Sequence, residues 1–246
     1  MSTLVLALAA GAVIGLALGA LGGGGSVLAV PALIYLLGFT PVAATTASLV
    51  IVAVTSATAM SVHARDGNVR WGTGLLFAAA GIGPAMLGGA LAGRVPAAVL
   101  TAAFAMVAGA AALRMLRGRP SAVDTAVPVR SGRAAAAGAG LGAVTGVGGG
   151  FLAVPALVNV LGMRMRYAVG TSLLVITVNS LAALAMRTGT ADGLDWAVIG
   201  PFAGAAILGA WDGKRLATKV SGHTLQRVFA LALLAVAAFM LIDTAA

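Results

Sequence analysis

Apolar residues run almost unbroken through stretches of membrane-helix length, and polar residues collect in the short gaps between them. In the first half these runs predict a helical hairpin with arms at 3–21 and 27–38, followed by three membrane-length helices at 42–62, 71–92 and 96–114. The second half gives arms at 134–146 and 151–162, then helices at 167–186, 196–213 and 224–242. Arms of about 12 residues rise only ~18 Å, short of the ~30 Å hydrocarbon core, so they enter and return or cross only part of the bilayer. Thr40-Pro41 offers an N-cap and a first-turn proline for the helix that follows. Gly11, Gly15 and Gly19, like Gly138, Gly142 and Gly146, recur every fourth residue and make small faces on which helices can pack closely.

The two halves are copies of one unit at an offset of 124 to 125 residues. Gly22-Gly23-Gly24-Gly25-Ser26-Val27-Leu28-Ala29-Val30-Pro31-Ala32-Leu33 aligns with Gly146-Val147-Gly148-Gly149-Gly150-Phe151-Leu152-Ala153-Val154-Pro155-Ala156-Leu157, identical at nine of twelve positions. The register continues through Ser48-Leu49 with Ser172-Leu173, Trp71 with Trp196, and Phe104 with Phe229. The organisation expected is repeat 1 over 1–114, a basic linker over 115–133, and repeat 2 over 134–246.

Composition narrows the class. With 61% hydrophobic and only 9% charged residues, the chain cannot cover a soluble domain with a polar shell. It reads as an all-α, polytopic helical membrane protein. Cysteine is absent, which removes disulfides and thiolate chemistry, and every acidic residue is Asp. No Lys or Arg precedes Arg65, so the first apolar run lacks the basic region of a secretory signal peptide and is read as a retained helix. The net charge of +9 would suggest nucleic acid in a soluble protein; here the basic residues lie in gaps between apolar runs and act as topology determinants.

Those charges choose between two arrangements of the copies. If each hairpin makes no net crossing or two, the copies are inverted, both termini lie outside, and the cytoplasmic side receives twelve of the fifteen basic residues. They are Arg65, Arg70, the five linker arginines, Arg164, Arg166, Lys214, Arg215 and Lys219, with Arg94 and Arg187 left outside and Arg227 starting the last helix near the inner face. If each hairpin counts as one crossing, the copies are parallel and the division is eight against seven. The inverted arrangement is the one expected, and it is a recurring architecture of secondary transporters.

Candidate chemistry centres on the two glycine runs. A helix that begins inside the membrane after Gly24-Gly25-Ser26, or after Gly148-Gly149-Gly150, offers free N–H groups and the positive end of its dipole to an anion. The competing reading makes these glycines packing and turn elements only. Hydroxyls and an amide on the next helix, Thr46 and Ser48 in copy one and Thr171, Ser172 and Asn179 in copy two, could donate to anion oxygens or bond back to their own helix. His63 and His223 have no Cys or Glu beside them, so no metal site is expected, and no cofactor is implied. Asp212 is the acidic residue expected at membrane depth, with proton coupling as its functional reading and a surface ion pair with Lys214 or Arg215 as the simpler one. No nucleophile, acid and base constellation points to an enzyme.

The duplicated Gly-x-Gly-Gly-Gly-x-Leu-x-Val-Pro pattern (146–155), with Ala168-Val169-Gly170-Thr171-Ser172-Leu173 and the Leu208-Gly209 to Leu216-Ala217 stretch, resembles the sulfite exporter TauE/SafE family of probable membrane transporters. Copy one departs from it with Ser26 for the last glycine and Thr46-Ala47-Ser48 for Gly-Thr-Ser. The resemblance implies transport of a small sulfur-containing anion, such as sulfite or an organosulfonate, across the cytoplasmic membrane. Its partners would be that anion and the lipid bilayer, with no nucleic acid and with a homo-oligomer left open. A channel or facilitator for another small solute and a membrane assembly or scaffold protein are the rival functions.

Overall fold

The computed structural model describes residues 2–92, 97–117, 132, 135–140, 152–186 and 195–245. The regular elements among them are helical: α1 (Ser2–Leu21), α2 (Gly24–Pro31) continued by a π turn (Ala32–Leu36), α3 (Pro41–Arg65), α4 (Trp71–Ala92), α5 (Ala97–Arg117), a helical stretch at 135–140, α6 (Ala153–Asn159), α7 (Met165–Ala185), α8 (Trp196–Lys219) and α9 (Gly222–Ala245). Thr3–Leu21, Val42–Arg65, Met165–Ala185 and Gly222–Phe239 are each long and apolar enough to cross a membrane. The linker lies mostly outside the described residues, α5 continuing into it as far as Arg117.

The first hairpin departs in detail from its sequence pattern. Its first arm, α1, has 20 residues and rises ~30 Å, a full crossing, while α2 with its π turn adds only 8 and 5 residues. The reversal falls on Gly22, whose φ of 71° suits a residue without a Cβ. Gly24 and Gly25 then form the first turn of α2, which begins three residues before the expected start at 27. Pro31 sits eight residues into the helix rather than near its start, and the backbone widens into the π turn immediately after it. A proline ring cannot donate to the preceding turn and crowds it, so a wider turn is the local remedy.

The duplication reappears in backbone geometry. Gly38, at φ 70°, closes the first hairpin with Gly38 N–H donating to Ile34 O at 3.1 Å and Phe39 N–H to Leu33 O at 3.0 Å. Gly162, at φ 67°, closes the second with Gly162 N–H to Val158 O at 3.1 Å and Met163 N–H to Leu157 O at 3.0 Å. Both closures place glycine where a left-handed residue is needed, with a nested pair of bonds one residue wider than a Schellman motif. Beyond the first, Thr40 caps α3 as expected, its hydroxyl accepting from Ala43 N–H at 3.4 Å with Pro41 in the first turn.

Contacts between the halves are reciprocal: α3 packs on α7, α5 on α9, α4 on α7 and α3 on α8. A Cβ on Gly11, Gly15 or Gly19 of α1 would meet the backbone carbonyls of Phe202, Ala206 and Ala210 of α8 in turn, so these two helices run in the same direction at backbone contact. Gly138, at 135–140, abuts the carbonyl of Phe77 in α4, and Phe77 is the counterpart of Phe202. The first arm of each hairpin thus packs on the fourth helical segment of the other copy. One apolar cluster gathers Leu33, Ile51 and Phe202 from α1–α3 and α8; another gathers Leu157, Val169 and Phe229 around α6, α7 and α9. Exposed apolar side chains such as Val5 and Val13 on α1 and Leu231 and Phe239 on α9 supply surface suited to lipid.

Equivalent helices run in opposite directions. The start of α7 meets the loop that follows α3, where Arg70 N–H donates to Thr171 Oγ1 at 3.1 Å, and the helices meet midway where Ser56 Oγ lies 2.9 Å from Thr177 Oγ1. Lys214, near the end of α8, reaches Val62 O at 3.0 Å near the end of α3, the same end at which α4 begins.

Candidate functional site

The expected site residues fall into three groups. Gly148, Gly149 and Gly150 lie outside the described residues. Gly24, Gly25 and Ser26 form the first turn of α2, directly after the Gly22 reversal. Of the polar residues on the following helices, Thr46 and Ser48 are buried and bond back along α3, with Thr46 Oγ1 donating to Val42 O at 3.2 Å and Ser48 Oγ to Thr45 O at 2.8 Å. This is the usual way a membrane helix satisfies hydroxyls.

Thr171 and Ser172, both fully buried, are held differently. Ser172 Oγ donates to Val169 O at 2.8 Å, and a Cβ on Gly22 would come within 2.5 Å of that same Oγ. Thr171 Oγ1 accepts the Arg70 N–H of the other half, while Gly170 is tight against the loop, since a Cβ there would lie 2.5 Å from Asn68 O. Gly170-Thr171-Ser172 is therefore the place where the tip of the first hairpin and the 66–70 loop both dock on α7. The Arg70 guanidinium lies over the Tyr167 ring at 4.7 Å and holds the loop from its other side.

Midway along the α3–α7 contact is a polar layer. Ser56 Oγ and Thr177 Oγ1 lie 2.9 Å apart, and each is also within reach of a carbonyl of its own helix, Ala53 O and Leu173 O, so that the two hydroxyl protons are shared among three contacts. Beside them in sequence, Thr55 Oγ1 and Asn179 Oδ1 are buried without a hydrogen-bond partner among the described residues. A buried polar atom at mid-depth is costly unless something satisfies it, which makes these two the groups in this layer that the fold leaves unused. Asn179 was legible as a candidate, and Thr55 is its counterpart in copy one at the 124-residue offset.

The third group was not legible as a site. His63, Asn68, Arg166 and Lys214 line a cavity of about 40 Å³ at the end where α1, α3 and α8 finish and α7 begins. Lys214 Nζ pairs with Asp66 Oδ2 at 2.6 Å, while Asp212 pairs with Arg215 at 3.5 Å on the exposed face of α8. Of the two expected partners for a surface ion pair, Asp212 takes Arg215, one turn on, while Lys214 points across to α3. The Lys214 ammonium beside Asp66 holds that carboxyl below the usual carboxylate range, against the smaller opposing effect of burial.

A bundle of apolar membrane-length helices, closed around a buried polar layer and carrying an apolar outer surface, defines a multi-pass helical membrane protein. The family profile described as Sulfite exporter TauE/SafE matches residues 7–240, and the chain belongs to that family of membrane transporters. Two similar proteins from Xylella fastidiosa, strains 9a5c and Temecula1 / ATCC 700964, are each named "Probable membrane transporter protein". Each is 35% identical over 250 residues, covering 97% of this chain and 95% of the relative. No solved structure matches the chain.

Proposed function

We propose that this chain is a secondary transporter that moves a small sulfur-containing oxyanion, such as sulfite or an organosulfonate, outward across the cytoplasmic membrane. It works by alternating access between two halves inserted in opposite orientations. The observation that carries this reading is the opposed run of equivalent helices, α3 against α7 and α4 against α8, around a buried polar layer. Inverted halves bind substrate at their interface near the bilayer midplane. The sulfur chemistry comes from the family's description alone.

In this reading both termini face outward, and the end carrying Arg65, Arg70, Arg164, Arg166 and Lys214 faces the cytoplasm. The anion takes backbone N–H groups of Gly24-Gly25-Ser26 and Gly148-Gly149-Gly150, and Asn179 and Thr55, buried without a partner among the described residues, are further polar groups it could engage. Thr46, Ser48, Thr171 and Ser172 would contact it only by exchanging their present partners.

Single-cysteine labelling tests the orientation cleanly, because the chain has no cysteine of its own. Ser2→Cys and Asp192→Cys should react with an impermeant maleimide from outside, and Ser121→Cys only from inside. Reaction of Ser2→Cys and Ser121→Cys from the same side would overturn the arrangement. For the site, Gly149→Val should remove sulfite binding in purified, folded protein, and unchanged binding would leave the glycine runs as packing elements.

A further inference from the structure

The cavity at the α1–α3–α8 end has features that packing alone does not require. His63 lines it, is only 4% exposed, and holds Gly19 O through Nε2 at 3.2 Å. A carbonyl can only accept, so Nε2 carries the proton and Nδ1 faces its surroundings as a bare lone pair in the neutral ring. That Nδ1 is buried with no partner among the described residues. Around it stand Lys214, whose ammonium binds Asp66 and Val62 O and keeps a third N–H, and Arg166, exposed and with no ion-pair partner among the described residues. Asn68 adds a side-chain amide at the cavity wall. One carboxylate against two cations leaves the cavity positive, and an unprotonated imidazole nitrogen in such a place needs either a proton or a donor.

We infer that this cavity is a proton-linked binding site for a small monovalent oxyanion, which binds against Lys214, Arg166 and Asn68 together with one proton shared with His63 Nδ1. Binding takes up a proton from solution: Nδ1 gains an N–H, which donates to an anion oxygen, and no covalent bond is made or broken elsewhere. The space suits the class, since about 40 Å³ holds a few waters or one compact anion. The sequence does not repeat this residue set in the other copy. At the 124 to 125 offset, Val42 stands where Arg166 is and Gly89 where Lys214 is. A site that takes anion and proton together on one side would let a proton gradient bias the direction of transport; that use rests on the transporter reading above, whereas the binding does not.

The test uses purified full-length protein and methanesulfonate, a compact anion that does not itself titrate near neutrality. The charged groups at the cavity are Lys214, Arg166 and, through its pair with Lys214, Asp66; His63 is the imidazole that lines it, and His223, beside the cavity-lining Gly222, is the other imidazole at this end. As pH rises through the imidazole range, methanesulfonate affinity should fall about tenfold per pH unit, with uptake of about one proton measured by calorimetry in buffers of different ionisation heat. His63→Gln should flatten the dependence while keeping its amide on Gly19 O, His223→Gln should retain it, and Arg166→Gln should weaken binding at every pH. Affinity independent of pH in the unsubstituted protein, or a pH dependence that survives His63→Gln, would overturn the inference. Sulfite counterflow separates the two readings: counterflow that persists while methanesulfonate binding is pH-independent sinks this site alone, and pH-linked binding without counterflow sinks the transporter reading alone.

Discussion

The first turns of α3 and of α7 descend from the same motif and do different things. In α3 the hydroxyls of Thr46 and Ser48 turn back to carbonyls of their own helix. In α7, Gly170 removes the side chain that would collide with Asn68 O, and Thr171 takes the Arg70 N–H from the other half. In copy one Thr46 stands in place of Gly170 and Ala47 in place of Thr171. The duplicated motif has kept its place in the fold while its residues have diverged, and the copy in α7 both docks the 66–70 loop and lies beside the polar cavity of His63, Arg166 and Lys214.

Exchanging residues between the copies tests this contrast. Gly170→Thr gives α7 the residue of α3 and forces a β-branched side chain against the Asn68 carbonyl; overpacking of this kind costs about 1–3 kcal/mol, so a clear fall in the thermal midpoint of the detergent-solubilised protein is expected. Thr171→Val keeps the shape but leaves the Arg70 N–H without its acceptor, and should cost about 1 kcal/mol by the same measurement. Asp66→Asn has a smaller effect that depends on pH. Since the folded carboxyl titrates below its unfolded value, the pair with Lys214 contributes fully at neutral pH and is lost as pH falls through the folded titration, below about 4. Thermal midpoints of the parent and Asp66→Asn proteins should therefore differ at pH 7 and converge in acid. Ser48→Ala removes only a bond within α3 and should stay within about 0.5 kcal/mol of the parent; a loss equal to that of Thr171→Val would erase the contrast.

Local features were legible in the sequence. Thr40-Pro41 announced a capped helix start, the four-residue glycine spacing announced the α1–α8 contact, and 71–92 was read with its observed boundaries. Where the reading slipped, the cause was a choice that composition does not register. Glycines 24 and 25 joined the helix instead of preceding it, because only Gly22 was needed for the reversal, and α8 ran on to Lys219 because Lys214 finds partners on and after α3 while Arg215 and Lys219 are exposed. The cavity was hidden for a different reason. His63, Asp66, Arg166 and Lys214 are separated by up to about 150 positions in sequence, and only the antiparallel meeting of α3 and α7, with α8 ending beside them, brings them to one place. Asn179 stood out as an amide in an apolar helix, whereas Thr55 is one of many hydroxyls until its missing partner is seen.

The most direct test of the whole account is counterflow in proteoliposomes loaded with unlabelled sulfite and diluted into labelled sulfite. A secondary transporter with alternating access should give saturable, transient accumulation of label that depends on the internal sulfite and is absent from empty liposomes. Flux that rises linearly with concentration and ignores internal sulfite, or no flux from folded protein, would contradict it.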